Sequence, residues 1–236
     1  TRRSSDLKQK YNLSYVRFKD SIFGINKNWL FKFMDMYDSH INLPFHCLLD
    51  ERYATSDIIN RLSKSGLKYT TVGIQSADPT IRKEIFGRNI SNQGLVDYIK
   101  NLYNNNIEIK YDLIGWNPFE GEQHLKNSLE FLSTLPKADQ VVTFELKMFP
   151  GTPIIEKYTN SNLKPLAREK YTFYAILFNM VLYSSETEKK AFELLKENAT
   201  SKESLNVFTT YLQYKQSNYI IKANTDLQRN QKLTNA

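Results

Sequence analysis

Five short apolar segments alternate with helix-like segments along the first two thirds of the chain, and this alternation constrains the fold most strongly. The clearest segment runs from Lys68 to Ser76, where β-branched and aromatic residues follow Gly66 and end in a polar pair. Asp78 and Pro79 come next, and an acidic N-cap followed by proline is a typical helix start. Strands that alternate with helices in this way predict a parallel sheet with right-handed crossovers.

The same order of strand, turn and helix recurs on both sides of this segment. Each strand-like segment carries β-branched or aromatic residues, and apolar residues at helical spacing follow it. We therefore predict an α/β fold built on five parallel strands. The predicted strands are Tyr15–Asp20, Phe45–Arg52, Lys68–Ser76, Ile107–Gly115 and Val141–Met148.

The pattern changes near Asn160, and nothing after Leu163 is typical of a strand. The remaining sequence predicts three helices and a polar tail that frays. We place a domain boundary here, with the sheet as one unit (residues 1–159) and a helical region (residues 160–236) packed beside or across it. The predicted helices cover 169–182, 186–196 and 203–214, the tail covers 218–236, and one more helix is predicted over Ser4–Tyr11.

The net charge of +7 is carried mainly by the two ends of the chain. Residues 1–20 hold six basic and two acidic side chains, and residues 160–236 hold eleven against seven. A nucleic-acid site is expected to cluster its basic residues on one face with aromatic residues between them. The distribution here is more typical of a solvated surface, so we do not expect a nucleic-acid partner. A basic nucleic-acid-binding accessory module stays an alternative.

A single cysteine, Cys47, excludes a disulfide framework and a cysteine-rich metal site within this chain. The three histidines, His40, His46 and His124, lack metal-binding spacing. No signal-peptide pattern is present, and the most apolar run, Phe173–Tyr183, is about half as long as a membrane span. These features predict a cytoplasmic protein. The chain starts without methionine inside a helical pattern, so we expect a piece of a longer protein.

Polar residues follow the carboxyl end of each predicted strand. In a parallel sheet these ends lie along one edge, so the side chains would gather there as a ring. Such a ring suits a polar, zwitterionic ligand, although strand ends are also polar simply because they meet water. The ring would contain Asp20, Asp50, Glu51, Arg52, Gln75, Ser76, Asn117, Glu120 and the turn at Pro150 and Gly151.

Four segments resemble, in order, motifs of the radical S-adenosylmethionine (radical SAM) superfamily. Val72–Ser76 is similar to its strand-four motif, and Phe86–Ser91 to the Arg-Gly turn that follows. Asp112–Glu122 resembles the strand-five motif with its acidic helix start, and Phe149–Pro153 the Pro-Gly-Thr turn after strand six. The resemblance covers residues 10–155 and is nearest to the branch with an N-terminal cobalamin-binding domain. It implies a partial parallel (β/α) barrel without the first strand and the cluster loop, followed by an all-helical appendix.

The resemblance assigns cofactor-binding roles to residues at matching positions. Gln75 and Ser76 match the polar pair that reaches the ribose or methionyl end of the cofactor, and both offer hydrogen bonds without charge. Arg88 matches the basic residue that pairs with the methionyl carboxylate, a role that suits a planar guanidinium.

Five more cofactor-binding positions follow from the same resemblance. Asp20 matches an acid near the substrate and the cofactor, and Arg52 matches a rim position ahead of a crossover helix. Ile114, Trp116 and Asn117 match the segment that packs on the adenine. The Trp116 ring could stack on the base or line the substrate pocket. The resemblance assigns no catalytic residue and no metal ligand within this chain.

The iron–sulfur cluster of the superfamily is the feature that this chain does not match. The family holds a 4Fe–4S cluster with three cysteines of a CxxxCxxC loop, and Cys47 alone cannot provide them. We expect these ligands upstream of Thr1 in a part that was cut away, with a natural degenerate relative as the alternative, and we expect this chain alone to be inactive. The intact protein would cleave S-adenosylmethionine reductively to a 5′-deoxyadenosyl radical, for methyl transfer or rearrangement of an unidentified small-molecule or peptide substrate. For the intact protein the resemblance also implies a reductant such as flavodoxin or ferredoxin, and it allows for cobalamin bound by an N-terminal domain.

A second enzymatic function is compatible with the same residues. A non-redox α/β-barrel enzyme would use rim carboxylates such as Asp20 and Asp50 as acid and base. Upstream sequence without clustered cysteines would favour this alternative.

Overall fold

Five parallel strands form a single sheet in the computed structural model of the chain, which describes residues 6, 8, 10–138, 140–161, 163–214 and 216. The strands are hydrogen-bonded to one another in chain order, and every neighbouring pair is parallel. The predicted α/β fold with a partial parallel barrel is therefore confirmed. The strands are β1 (Val16–Arg17), β2 (Phe45–Leu48), β3 (Leu67–Gln75), β4 (Glu108–Trp116) and β5 (Val141–Glu145).

Helices connect the successive strands, as parallel pairing requires, and a further group of helices follows β5. Residues 201–214 are helical as predicted, and residues 6, 8, 10 and 11 are helical near the amino end. The predicted tail over 218–236 lies outside the described residues. None of the described helices is both long and apolar enough to cross a bilayer. The helices are α1 (Lys27–His40), α2 (Ser56–Lys64), α3 (Pro79–Glu84), α4 (Asn92–Asn104), α5 (Glu122–Ser133), α6 (Pro153–Thr159), α7 (Arg168–Tyr183) and α8 (Ser185–Lys196).

Side-chain hydrogen bonds cap the starts of α3 and α4 at the two residues that the sequence predicts, Asp78 and Ser91. The Asp78 carboxylate accepts hydrogen bonds from the backbone N–H groups of Thr80 (2.8 Å) and Ile81 (2.9 Å). The Ser91 hydroxyl accepts one from Gly94 N at 3.0 Å. These caps satisfy backbone donors that a helix start otherwise leaves without partners. Both helices therefore begin at defined residues close to the carboxyl end of β3.

Three strands are shorter than the sequence predicts, and β5 ends at Glu145 instead of Met148. β2 ends at Leu48 instead of Arg52 because Asp50 turns the chain. The Asp50 carboxylate accepts a hydrogen bond from Arg52 N, and its carbonyl accepts one from Tyr53 N, each at 3.0 Å. β1 pairs with β2 over two residues only, in keeping with its place at the edge of the sheet. The end of the sheet that β1 and β2 form is therefore shorter than predicted.

The two faces of the sheet differ in chemistry. Val72 and Ile74 of β3 share a face with Tyr111 and Leu113 of β4, and all four side chains are buried. This face packs against the helices and forms the hydrophobic core of the chain. The opposite, concave face of the half barrel carries alternate residues that are mainly polar. Polar side chains therefore line both this concave face and the carboxyl edge of the strands.

Helix α7 belongs to the same packed body as the sheet. The backbone N–H of Ala138 donates to Leu182 O at 2.9 Å, and that of Val141 donates to Asn179 Oδ1 at 3.2 Å. Apolar side chains of α7 and α8 are part of the core that the strands also form. The boundary near Asn160 stays a prediction, while the core runs without interruption from the strands to α7.

Candidate active site

A β-bulge at the end of β3 places Gln75 at the carboxyl edge of the sheet. The register between β3 and β4 shifts between Gly73 and Gln75, and Gln75 has a φ of +65°. This left-handed conformation is uncommon for a residue with a side chain and marks local strain. A Cβ atom on Gly73 would lie 2.6 Å from Gln75 Nε2 and 2.8 Å from Arg88 Nη1. The glycine therefore leaves room for two predicted binding residues, which lie side by side.

The Arg88 side chain is held by Glu51, which follows β2, and by the backbone of Gly73 in β3. Its Nε and Nη2 atoms donate to the Glu51 carboxylate, with Nε 3.3 Å from Oε1, and Nη1 donates to Gly73 O at 2.7 Å. The side chains of Arg88 and Glu51 are only 18% and 5% exposed. Three of the five N–H groups of a guanidinium are used in this way, which leaves two for a ligand.

Ser76 and Glu120 join the ends of β3 and β4 inside the protein. The buried Ser76 hydroxyl donates to Glu120 Oε1 and accepts a hydrogen bond from Asp78 N at 3.0 Å. Burial raises the pKa of the Glu120 carboxyl to about 7, and the charge of Asp78 acts in the same direction. The hydrogen bond from the Ser76 hydroxyl opposes this rise. The Ser76 hydroxyl is thus engaged within the protein, and its contact with the cofactor stays a prediction.

Trp116 forms one wall of a cleft of about 360 Å³ at the ends of β4 and β5. The Arg168 guanidinium lies 4.5 Å from the centre of the Trp116 ring. The indole N–H of Trp116 is buried and has no hydrogen-bond partner among the described residues. Apolar walls with a few polar groups are typical of small-molecule sites. The cleft is also lined by Leu146 and Met148 after β5 and by Leu166 before α7.

Helix α7 fixes the backbone that follows β4. The Tyr171 hydroxyl donates to Asn117 O at 3.0 Å. One turn further along, Glu122 accepts hydrogen bonds from Lys170 Nζ and from the Tyr174 hydroxyl, each at 3.2 Å. Proximity to Lys170 and hydrogen bonds lower the pKa of the Glu122 carboxyl, although its partial burial acts in the opposite direction. The C-terminal helical region therefore supplies one wall of the cleft and positions its floor.

The other predicted binding residues are spread along the same edge. Asp20 is exposed, three residues beyond the end of β1, and forms no hydrogen bond or ion pair with another described residue. Arg52 forms a bidentate pair with Asp50 at 2.7 and 2.8 Å, which lowers the pKa of the Asp50 carboxyl. Ile114 is half-buried on the concave face of β4, and Asn117 is fully buried just beyond that strand. Their contacts with a cofactor stay predictions.

Sequence reasoning missed the site residues that come from distant parts of the chain. Arg168 and Tyr171 reach the cleft from α7, in a region whose sequence matches no motif. The aromatic pattern of that helix indicates burial but not the surface against which it packs. Glu51 was expected on the ring, but its pairing with Arg88 across two strands has no signal in the sequence.

The ligands of an iron–sulfur cluster are not found in the part of the chain that the structure describes. No group of three or more His, Cys, Asp or Glu side chains there is arranged to hold a metal ion. Cys47 is completely buried in β2, and burial raises the pKa of its thiol. A 4Fe–4S cluster needs several thiolates, so it does not fit these residues.

Solved structures of radical SAM enzymes have the same fold. Coproporphyrinogen III oxidase from Escherichia coli superposes with a TM-score of 0.54 at 14% identity, over 70% of this chain and 43% of that enzyme. The methyltransferase TsrM from Kitasatospora setae, solved with cobalamin and a 4Fe–4S cluster bound, gives 0.53 at 14% identity, over 64% and 29%. Elp3 from Methanocaldococcus infernus gives 0.53 at 13% identity, over 82% and 57%.

At these identities the similarity establishes the fold. The chain spans less than two thirds of each of these three proteins. No protein-family profile and no curated protein matches the sequence. The resemblance that four short motifs indicate is therefore confirmed at the level of the three-dimensional fold.

Proposed function

We propose that this chain, which has the fold of the radical SAM enzymes, binds S-adenosylmethionine along the carboxyl edge of its sheet as part of a longer enzyme of that superfamily. The cleft beside Trp116 carries the proposal, because its wall offers an aromatic face and a buried indole N–H without a partner among the described residues. Gln75 and Arg88 lie at the end of the neighbouring strand. Together these groups match the apolar and the polar ends of the cofactor.

The adenine end is assigned to the end of β4. Stacking on an aromatic ring stabilises a nucleobase by about 1–3 kcal/mol, and Trp116 is one of three aromatic side chains in the cleft, with Tyr158 and Tyr171. Ile114 lies two residues earlier on the same face of β4 and packs beside the base. Asn117 contributes backbone groups, and the hydrogen bond from Tyr171 keeps them in place.

The methionyl and ribose end is assigned to the ends of β1 to β3. Arg88 keeps two N–H groups for the methionyl carboxylate, although Glu51 already shares its guanidinium. Gln75 is the hydrogen-bonding group for the ribose hydroxyls. Ser76 supports this end, and Asp20 and Arg52 flank the site on the rim. The remaining N–H groups of Arg88 stabilise a bound carboxylate by hydrogen bonds, and the negative charge of the nearby Glu51 destabilises it.

Bound S-adenosylmethionine supplies, after one-electron reduction, methionine and a 5′-deoxyadenosyl radical for methyl transfer or rearrangement of the substrate. The residues of this chain bind and orient that cofactor and exclude water with the apolar wall of the cleft. We propose that the cysteines for the 4Fe–4S cluster, the cobalamin site and the contact with a flavodoxin or ferredoxin belong to another part of the protein.

Binding of S-adenosylhomocysteine to the chain tests the adenine assignment without any cluster. Calorimetric titration measures the affinities, because Trp116→Leu removes the one of the two tryptophans that lines the cleft and would report binding by its fluorescence. We expect Trp116→Leu to weaken binding about tenfold, because a stacked ring is lost. Trp29→Leu is the matched control, since Trp29 is 51% exposed on α1. Equal affinities for the wild type and Trp116→Leu would contradict the assignment.

The radical chemistry is tested on a protein extended upstream. Anaerobic reconstitution with iron and sulfide, followed by dithionite and S-adenosylmethionine, should give 5′-deoxyadenosine. A folded, extended protein that takes up no iron and forms no product would refute the proposed reaction.

The non-redox alternative receives less support from the rim carboxylates. Arg52 holds the Asp50 carboxylate by two hydrogen bonds and lowers its pKa, so Asp50 is poorly suited to donate a proton near pH 7.

A further inference from the structure

Polar side chains line the concave face of the sheet between β2 and β4. Register places Tyr69 beside His46 on one side and Glu108 on the other, and it places Thr71 beside Lys110. The inward-facing positions of closed (β/α) barrels are ordinarily filled with branched apolar side chains. Convergent polar groups on such a surface are instead typical of a ligand site.

His46 is the most unusual member of this face. It is 2% exposed, yet neither of its ring nitrogens has a hydrogen-bond partner among the described residues. Its ring packs against Tyr69, with 5.0 Å between the ring centres. Burial lowers the pKa of His46, and the charges of Arg17, Lys110 and Lys19 act in the same direction. The ring is therefore neutral and offers a ligand one donor and one acceptor.

Both signs of charge lie next to His46 on this face. Lys110 Nζ is 3.0 Å from Asp112 Oδ1, and both side chains are about one fifth exposed. Burial raises the pKa of the Asp112 carboxyl, and Lys110 opposes that rise. Arg17 lies beside His46 in the register and has no ion pair among the described residues. A ligand with a carboxylate and an ammonium group would complement both signs.

A cavity opens onto the part of this face that Tyr69, Glu108 and Lys110 form, next to His46 and Asp112, which do not line the cavity themselves. It has a volume of about 450 Å³ and is lined by Tyr69, Glu108 and Lys110 of the concave face, with Asn106 and Gln140 at its rim. Small-molecule sites have volumes of roughly 300–1,000 Å³. The cavity lies at the amino-terminal ends of β4 and β5, away from the cleft at Trp116, so the two sites do not share residues.

We propose that this concave face binds a small zwitterion, an amino acid or an amino-acid derivative, with its carboxylate toward Arg17 and Lys110 and its ammonium group toward Asp112 and Glu108. His46 hydrogen-bonds the polar part of the same molecule. The assignment of this ligand as the substrate rests on the proposed function, whereas its binding does not. The site lies on the inner surface below the edge to which we assign the cofactor.

Titration of the chain with L-alanine, followed by NMR of the histidine rings, tests the proposal. The chain has three histidines, so the His46 signals are assigned with His40→Gln and His124→Gln. We expect the chemical shifts of the His46 ring to change with L-alanine concentration until the site is saturated. Acetate and methylammonium, each with one of the two charges, should bind at least tenfold more weakly. Absence of any L-alanine shift at His46 would overturn the proposal.

Substitutions of the charged pair show whether the two charges select the ligand. Lys110→Met and Asp112→Asn should each weaken L-alanine binding at least tenfold, and Asp112→Asn keeps the shape of the side chain if the first variant fails to fold. Lys100→Met, at an exposed position of α4, is the matched control and should bind like the wild type. Unchanged affinity in a folded variant of either charged residue would overturn the assignment.

A parallel titration with S-adenosylhomocysteine separates this inference from the proposed function. If His46 responds to L-alanine while Trp116 fluorescence ignores S-adenosylhomocysteine, the concave site stands and the proposed function fails. If only Trp116 responds, the concave site fails and the cofactor site stands.

Discussion

The carboxyl ends of β3 and of β4 and β5 share one edge of the sheet but differ in how their polar groups are paired. At β3, Arg88 contacts Glu51, and Ser76 contacts Glu120 inside the protein. At the end of β4, the indole N–H of Trp116 has no partner in the described part of the chain, and an apolar cleft lies beside it. The polar groups at the end of β3 are already paired by internal hydrogen bonds, whereas the end of β4 keeps an apolar cleft in which the Arg168 guanidinium lies over the Trp116 ring.

This difference indicates that the two strand ends contribute to ligand binding in different ways. A ligand at the end of β4 meets an indole N–H without a partner in the described part of the chain and shares the Trp116 ring with the Arg168 guanidinium, so we expect most of its binding free energy to arise there. A ligand at the end of β3 has only the two Arg88 N–H groups that Glu51 and Gly73 leave unused. The end of β3 therefore acts mainly as a rigid frame that holds Gln75 and Arg88 in position. Substitutions at the two ends should consequently have different effects.

The largest effect on this frame should come from Arg82. This fully buried guanidinium donates to Ser76 O (2.7 Å), Ile90 O (2.9 Å) and Asn92 Oδ1 (2.7 Å). Arg82→Met leaves these acceptors unsatisfied, so we expect the free energy of unfolding to fall by about 3 kcal/mol or more. Urea denaturation measures the loss. Lys83→Met, at a neighbouring exposed position, is the control, and equal stabilities of the two variants would contradict the prediction.

Glu120 should give the frame a pH-dependent stability. Its pKa is about 7 in the folded protein, against an ordinary value of 4.5, so the folded state holds a proton that the unfolded state releases. Stability from this group is complete below pH 4.5 and is lost as the pH rises to about 7, by an amount of order 3 kcal/mol. Denaturation at a series of pH values measures the slope.

Glu120→Gln supplies the matched comparison. The amide cannot ionise, so the variant should lack this decline and exceed the wild type in stability above pH 7. An identical pH dependence in both proteins would show that Glu120 does not titrate in this range.

Gly73→Ala should disturb the frame more mildly. The new Cβ would meet Gln75 Nε2 and Arg88 Nη1, which are the ends of flexible side chains and can shift. We expect a loss of stability of about 1–2 kcal/mol and weaker S-adenosylhomocysteine binding, because both predicted binding residues move. Calorimetric titration measures the binding. Gly121→Ala is the control, since a Cβ there meets only His124 Nδ1 at 3.9 Å.

The smallest effect is expected at the cleft. Tyr171→Phe removes the hydrogen bond to Asn117 O and should cost about 1 kcal/mol of stability. Tyr103→Phe, 56% exposed on α4, is the control. If the hydrogen bond from Tyr171 positions the cleft, S-adenosylhomocysteine binding should weaken about threefold in Tyr171→Phe and stay unchanged in Tyr103→Phe. A change of the same size in both variants would refute this role of α7.

The order of strands and helices could be predicted from the sequence because its signals are local. Asp78 and Ser91 begin helices where their side chains can accept backbone hydrogen bonds, and Asn106 has the positive φ that a helix-ending asparagine tolerates. The ends of β2 could not be predicted in the same way. Its last residues turn because the Asp50 carboxylate bonds to Arg52, and nothing in their composition opposes an extended strand.

The sequence by itself determined the alternation of strands and helices, the parallel sheet and the motifs that resemble the radical SAM superfamily, since hydrophobic spacing and turn residues act over a few positions. Only the tertiary structure decided the partners of the polar side chains. Glu51 meets Arg88, Glu120 meets Ser76 and Arg168 meets Trp116 across tens of residues. Such pairs depend on the packing of whole elements, for which a single sequence carries no local signal.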